Sequence, residues 1–235
     1  MEDFKNNRRQ LHLYRRAAMD FFPPQNMALG GAIDKLFRDS DDFEPIRLSS
    51  FEEELQPNND AMNKEDTESS KRLMKLRERK SLRDLNVRWI GLMTSGEAAL
   101  RERIALFWHG HFACRTVVPS FAESYINTIR KHALGNFGEM LIAVSKEPAM
   151  LQFLNNQQNR KNCPNENFAR EVMELFTIGR GNYSEQDVKE GARAFTGWAF
   201  NYKGEFQFKE RTTITERSSS WAKRALGSDD GVDFQ

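Results

Sequence analysis

Residues 155–198, NNQQNRKNCPNENFAREVMELFTIGRGNYSEQDVKEGARAFTGW, decide how this chain is read. The stretch begins as an amide-rich polar loop. Pro164 then opens a helix that Gly179 and Gly181 close, and a second helix starts near Ser184. Within the first helix Phe168, Val172 and Leu175, joined by Phe176, form an apolar stripe. Asn167, Arg170, Glu171 and Glu174 form a polar one at i, i+3, i+4 and i+7. Paired carboxylates on one helix face ligate hard metals or perform acid–base work, which makes Glu171 and Glu174 catalytic candidates. A solvated stripe with an Arg–Glu pair has the same pattern, and both readings stay open here.

The amides Asn155, Asn156, Gln157, Gln158, Asn159, Asn162, Asn165 and Asn167 crowd the same region. Such side chains cap helices and satisfy stray backbone groups; they also line sugar or peptide sites. Asn165, Asn167 and Arg170 are the ligand-binding candidates.

Upstream, residues 97–114 read as the most aromatic helix of the chain. Leu100, Ile104, Leu106, Phe107, Trp108 and Phe112 cover more than half its circumference, so it is expected to be central and to lie beside the helix opened by Pro164. His109 and His111 are metal candidates, although two residues apart on a regular helix they point about 200° from each other. Partly buried, hydrogen-bonded histidines are the other reading. His132, in a turn after a helix over 120–130, is either a base or a satisfied turn histidine. Residues 147–154 form a short helix with Pro148 in its first turn. Residues 200–208 offer a hairpin around Lys203-Gly204.

The chain before this is more polar. Residues 10–18 and 27–37 have helical apolar spacing. Apolar residues then thin out through DSDDFEP, FEEELQPNND and NKEDTESS, and residues 56–69 read as a disordered linker or exposed loop. Residues 71–86 are a basic amphipathic helix with Leu73, Leu76, Leu82 and Leu85 on one stripe; a solvated face and a nucleic-acid or membrane surface both fit. At 235 residues, with 39% apolar and 29% charged, the chain has room for a core and a sizeable solvated segment. Two cysteines, Cys114 and Cys163, are too few for a disulfide framework and fit a reducing compartment. The N-terminus carries no signal-peptide core, so a soluble, cytoplasmic protein is expected, export of intact relatives staying open. No nucleotide, hydrolase or zinc-protease motif occurs.

FWHGHF at 107–112, NTIRKHALGNFGEML at 127–141, PAMLQFLNNQQNRK at 148–161, PNENFAREVMELFTIG at 164–179 and ARAFTGW at 192–198 resemble the signature blocks of a bacterial helical family, domain of unknown function 1800. LHLYRRA at 11–17 resembles its opening. The resemblance implies a mostly helical fold and brings no reaction, substrate or cofactor. It fails in RTTITERSSSWAKRALGSDDGVDFQ, where the family continues with a histidine-containing, glycine-rich segment. Taking the last base of each codon with the first two of the next allows YHDNGAKFLLGKTG, close to that continuation. Residues from about Arg211 are therefore expected to be a frameshifted, disordered tail on an amputated family member.

The expectation is an all-α, irregular helical bundle with at most one short β-hairpin. Residues 1–50 hold its N-terminal helices, 51–70 an acidic linker or loop, 71–210 the main helical domain and 211–235 the tail. Function is expected to be that of a scaffold or binding module with a buried polar network and a possible protein partner; nucleic acid is not indicated. The alternative is a metal-assisted or acid–base enzyme of hydrolase type.

Overall fold

A computed structural model describes residues 2–19, 21–23, 27–48 and 64–213. Among these the regular structure is helical apart from one short two-stranded hairpin. Its elements are α1 (Glu2–Ala17), α2 (Leu29–Asp39), α3 (Lys64–Ser95), α4 (Ala99–His111), α5 (Pro119–His132), α6 (Phe137–Lys146), α7 (Pro148–Phe153), α8 (Glu166–Glu171), α9 (Glu185–Ala194), β1 (Trp198–Phe200) and β2 (Phe206–Phe208). The expected fold class is the observed one. The chain divides into two compact units, Met1–Leu106 with Val117–Glu123, and Phe107–Thr116 with Ser124–Gln235.

The first unit buries Tyr14 and Ala18 at the end of α1, Ala32 and Leu36 of α2, Leu85 and Trp89 of α3, and Ala99, Leu100 and Ala105 of α4. Two charged side chains are buried with them and are held by hydrogen bonds. Glu102 accepts from the Trp89 indole at 2.8 Å, and Arg101 Nε donates to the main-chain oxygen of Ser40 at 2.8 Å. Gly96 turns the chain between α3 and α4 at φ +81°, with the Phe21 ring laid against it so that a Cβ would meet Cε1 at 3.1 Å. α3 starts at Lys64, so the last residues of the expected 51–70 linker are helical; 49–63 lie outside the described residues. Leu73 and Leu76 are more than half exposed while Leu85 is buried. Twelve residues at about 100° each turn Leu85 some 120° away from Leu73, so the loose stripe does not hold one face.

In the second unit the core comes from Tyr125, Ile126 and Ile129 of α5, Met140, Leu141 and Val144 of α6, Ala149, Met150 and Leu151 of α7, and the residues around Phe168, Phe195 and Trp198. Asn136 caps α6, accepting from the main-chain nitrogens of Gly138 and Glu139 at 2.8 and 3.2 Å. Ser184 and Asp187 close a reciprocal capping box on α9. The hairpin pairs Phe200 with Phe206, and Asn201 Oδ1 accepts from the Lys203 and Glu205 nitrogens across the turn.

Two elements differ from the sequence reading. The helix opened by Pro164 is not uniform: after α8 it widens into a π-helix over Val172–Thr177, where Ile178 N reaches back to Met173 O at 3.0 Å. Phe168, Val172 and Phe176 are buried as expected, but Met173 is fully buried in the place assigned to Leu175, which is 57% exposed. The α4 belt is also narrower than its composition suggests, since Phe107 is 62% exposed. Its Phe112 nonetheless packs edge-on against Phe176 with centroids 5.4 Å apart, so the aromatic and proline-led helices are neighbours.

Candidate functional site

The densest polar arrangement is the loop between α7 and α8. Asn155 leaves α7 in a left-handed conformation, φ +57°, and the next residues make a single 3-10 turn. Asn156 and Asn159 are turned inward and almost wholly buried. Asn156 Nδ2 donates to the carbonyls of Phe195 and Trp198 at 3.2 and 3.4 Å. Asn159 Nδ2 donates to Asn156 Oδ1 at 3.2 Å and to Ala192 O at 2.7 Å, while its Oδ1 accepts from Asn165 N at 2.9 Å. The two amides thereby close the carbonyls of Ala192 in the last turn of α9, of its C-cap Phe195 and of Trp198 at the start of β1.

The ligand-binding candidates have similar duties. Asn165 Oδ1 caps α8 through Asn167 N at 3.0 Å, and Asn167 Nδ2 donates to Leu154 O, the end of α7, at 3.1 Å. Arg170 grips Glu185 with two hydrogen bonds of 2.8 Å and reaches Glu166 at 3.2 Å. Those carboxylates hold its guanidinium above its ordinary pKa, Glu185 most strongly.

Of the catalytic candidates, Glu174 accepts from the Tyr183 hydroxyl at 2.6 Å and pairs with Arg180. These bonds hold its carboxyl below the usual carboxylate range, Tyr183 contributing more than Arg180. An ionised, doubly paired carboxylate is a poor proton donor and a weak base. Glu171 lies one residue ahead of the π-helix, half-buried. His132 sits in the last turn of α5, its pKa lowered by burial and then by Lys131.

The metal candidates part company. His109 is half-buried with its ring 6.1 Å from that of Tyr125, and burial lowers its pKa. His111 Nε2 lies 3.1 Å from Phe176 O. A carbonyl only accepts, so this contact places the proton on Nε2 and takes that nitrogen away from a metal. Among the described residues no three His, Cys, Asp or Glu side chains gather in a metal-holding group.

A second cluster escaped the sequence reading. Glu147, between α6 and α7, is buried, yet its side chain does not cap α7. Oε1 accepts from the Thr128 hydroxyl on α5; Ser124 lies beside the carboxyl, and Oε2 makes no hydrogen bond of normal geometry. Burial pushes the carboxyl above its ordinary range. The neighbouring Cys114 thiol is pushed up to about 12 by burial and then by Glu147. Tyr125, which donates to Phe112 O, is raised by burial and then by Cys114 and Glu147. At neutral pH thiol and phenol are un-ionised, so neither is an activated nucleophile. These residues come from three elements, and only an acid ahead of Pro148 that fails to cap its helix hints at them.

The model of a protein family of unknown function, DUF1800, matches residues 12–232. The chain belongs to the DUF1800 family. The match runs from α1 past β2 and takes in most of the tail set apart above. No curated protein and no solved structure matches this DUF1800 chain. Of the tail itself, Thr212 and Thr213 anchor to the second unit through Lys161 N and Thr196 O at 2.9 and 3.1 Å, and residues from 214 lie outside the described residues. Among the described residues no helix is long and apolar enough to cross a membrane.

Proposed function

We propose that this DUF1800 chain is a non-catalytic scaffold or binding module whose buried amide network fixes the α7–α8 loop against the end of α9. The observation that carries this reading is that five of the eight candidate side chains serve the fold. Asn165 and Asn167 serve helix ends, Arg170 and Glu174 are held in ion pairs, and His111 is bonded to a carbonyl. A catalytic group needs a free lone pair or proton facing a substrate, and these atoms are engaged elsewhere. The acid–base alternative draws on one group, Glu147, whose raised pKa suits a proton donor.

The test is metal analysis of the purified protein after dialysis, with hydrolysis assays on generic ester, phosphoester and glycoside substrates. The scaffold reading expects sub-stoichiometric metal and no turnover above a Glu147→Gln control. Stoichiometric metal lost in a His109→Ala/His111→Ala variant, or turnover lost in Glu147→Gln, overturns it.

A further inference from the structure

α3 changes character near Lys80. Beyond that point Ser81, Leu85 and Trp89 are buried and hold the helix to the first unit. Before it, every residue from Glu68 to Lys80 is exposed except half-buried Glu78. Residues 71–83 carry Lys71, Arg72, Lys75, Arg77, Arg79, Lys80 and Arg83 against Glu78, seven positive charges and one negative, a net of +6. On the side turned away from Leu85, the apolar side chains of Leu73, Leu76, Val87 and Ile90 are 56, 53, 60 and 57% exposed. At about 100° per residue, all four fall within roughly 60° of the direction opposite Leu85, and Lys80 and Arg83 fall between them. From Leu73 to Ile90 the stripe is about 26 Å long at 1.5 Å per residue.

We propose that this outer face of α3 docks on an anionic lipid surface, with the helix lying in the plane of the headgroups. The mixture of side chains within one stripe favours that occupant. The apolar groups enter the acyl boundary, while the long stems of Lys80 and Arg83 let their charges reach lipid phosphates. Flanking Arg72 and Arg79 add attraction to a negative leaflet. A nucleic acid would neutralise the charges and leave four apolar side chains in water. A second copy of α3 fits worse. Antiparallel pairing along the stripe sets Lys80 against Arg83 of the second copy, and Arg83 against its Lys80, at the centre of the seam, where like charges repel most.

Flotation of the full chain with vesicles tests this. Binding is expected with phosphatidylcholine containing about 30% phosphatidylserine and not with phosphatidylcholine alone. It should fall about tenfold or more in Lys80→Glu/Arg83→Glu and in about 0.5 M salt. Leu73→Ser/Leu76→Ser should weaken binding by a similar factor with an unchanged far-ultraviolet spectrum and Tm, since both side chains are exposed. Failure to float, equal binding to both vesicles, or full binding by the serine variant overturns the proposal. So does duplex DNA outcompeting the vesicles, or a dimer in sedimentation that the serine variant dissolves.

Discussion

Asn159 Nδ2 lies 2.7 Å from the main-chain oxygen of Ala192, joining the amide loop to the C-terminal turn of α9 across 33 residues of sequence. The same side chain also engages Asn156 and Asn165, and it is buried throughout. Asn159→Ala strands an acceptor on Ala192, one on Asn156 and a donor on Asn165. At about 1–3 kcal/mol for each buried group left unsatisfied, partly relieved by entering water, a loss of about 2–4 kcal/mol is expected. Urea denaturation of the variant beside the parent measures it. A loss below about 0.5 kcal/mol, the range of ordinary surface changes, contradicts the network.

The raised carboxyl of Glu147 makes stability depend on pH in a definite direction. Its proton is held more tightly in the folded chain than in the unfolded one. The contribution is therefore fully present below the ordinary carboxylate range and is lost as pH climbs through the raised value. Cys114 and Tyr125, which face the group, keep their protons through this window because both are shifted upward. Glu147→Gln retains an oxygen for the Thr128 hydroxyl and carries no charge. The parent should lose stability relative to this variant as pH rises above the ordinary carboxylate range, read from denaturation midpoints at several pH values. Parallel curves contradict a buried, proton-binding Glu147.

Gly197 sits at φ +83° between Phe195 and β1, where a Cβ would fall on Thr213 Oγ1 and 2.8 Å from Lys209 O. Lys209 N also donates to Gly197 O at 2.8 Å, so the backbone there has little freedom to retreat. Gly197→Ala pays the left-handed cost of roughly 1–2 kcal/mol plus the clash, and a drop of about 2–4 kcal/mol is expected. Thermal unfolding checks it. The contrasting change Gly110→Ala, where a Cβ meets nothing within 4 Å, should leave Tm unchanged or slightly raised.

Helix positions were legible wherever apolar spacing was regular: α5 follows Phe121, Tyr125, Ile126 and Ile129, all buried. Turn chemistry was legible too, in the Pro148 start of α7 and the Gly204 hairpin at φ +84°. The side chains of the candidate site were legible as residues but not as partners. Nothing local to Asn159 says that it meets Ala192, and nothing around Glu174 says that Tyr183, nine residues later, folds back on it. Glu147, Cys114 and Tyr125 share no periodicity, so only the tertiary fold brings together α5, the α6–α7 junction and the segment after α4. The π-helix was hidden for a related reason. Its wider turn changes which side chains face inward without changing composition.

That last point gives a test of the register itself. A regular 3.6-residue repeat continued from Phe168 and Val172 brings Leu175 inward; along the widened turn over Val172–Thr177 Leu175 is instead 57% exposed, while Met173, beside Val172, is fully buried. Met173→Ala should therefore open a cavity and cost about 2–5 kcal/mol, while Leu175→Ala should change stability by about 0.5 kcal/mol or less. Denaturant midpoints for the two variants decide between the registers, because a continuous α-helix makes Leu175→Ala costly too. Thr177 provides a second reading of the same feature. Its hydroxyl donates to Val172 O, five residues back, at 2.7 Å, so Thr177→Val should lose that bond and destabilise by about 1 kcal/mol.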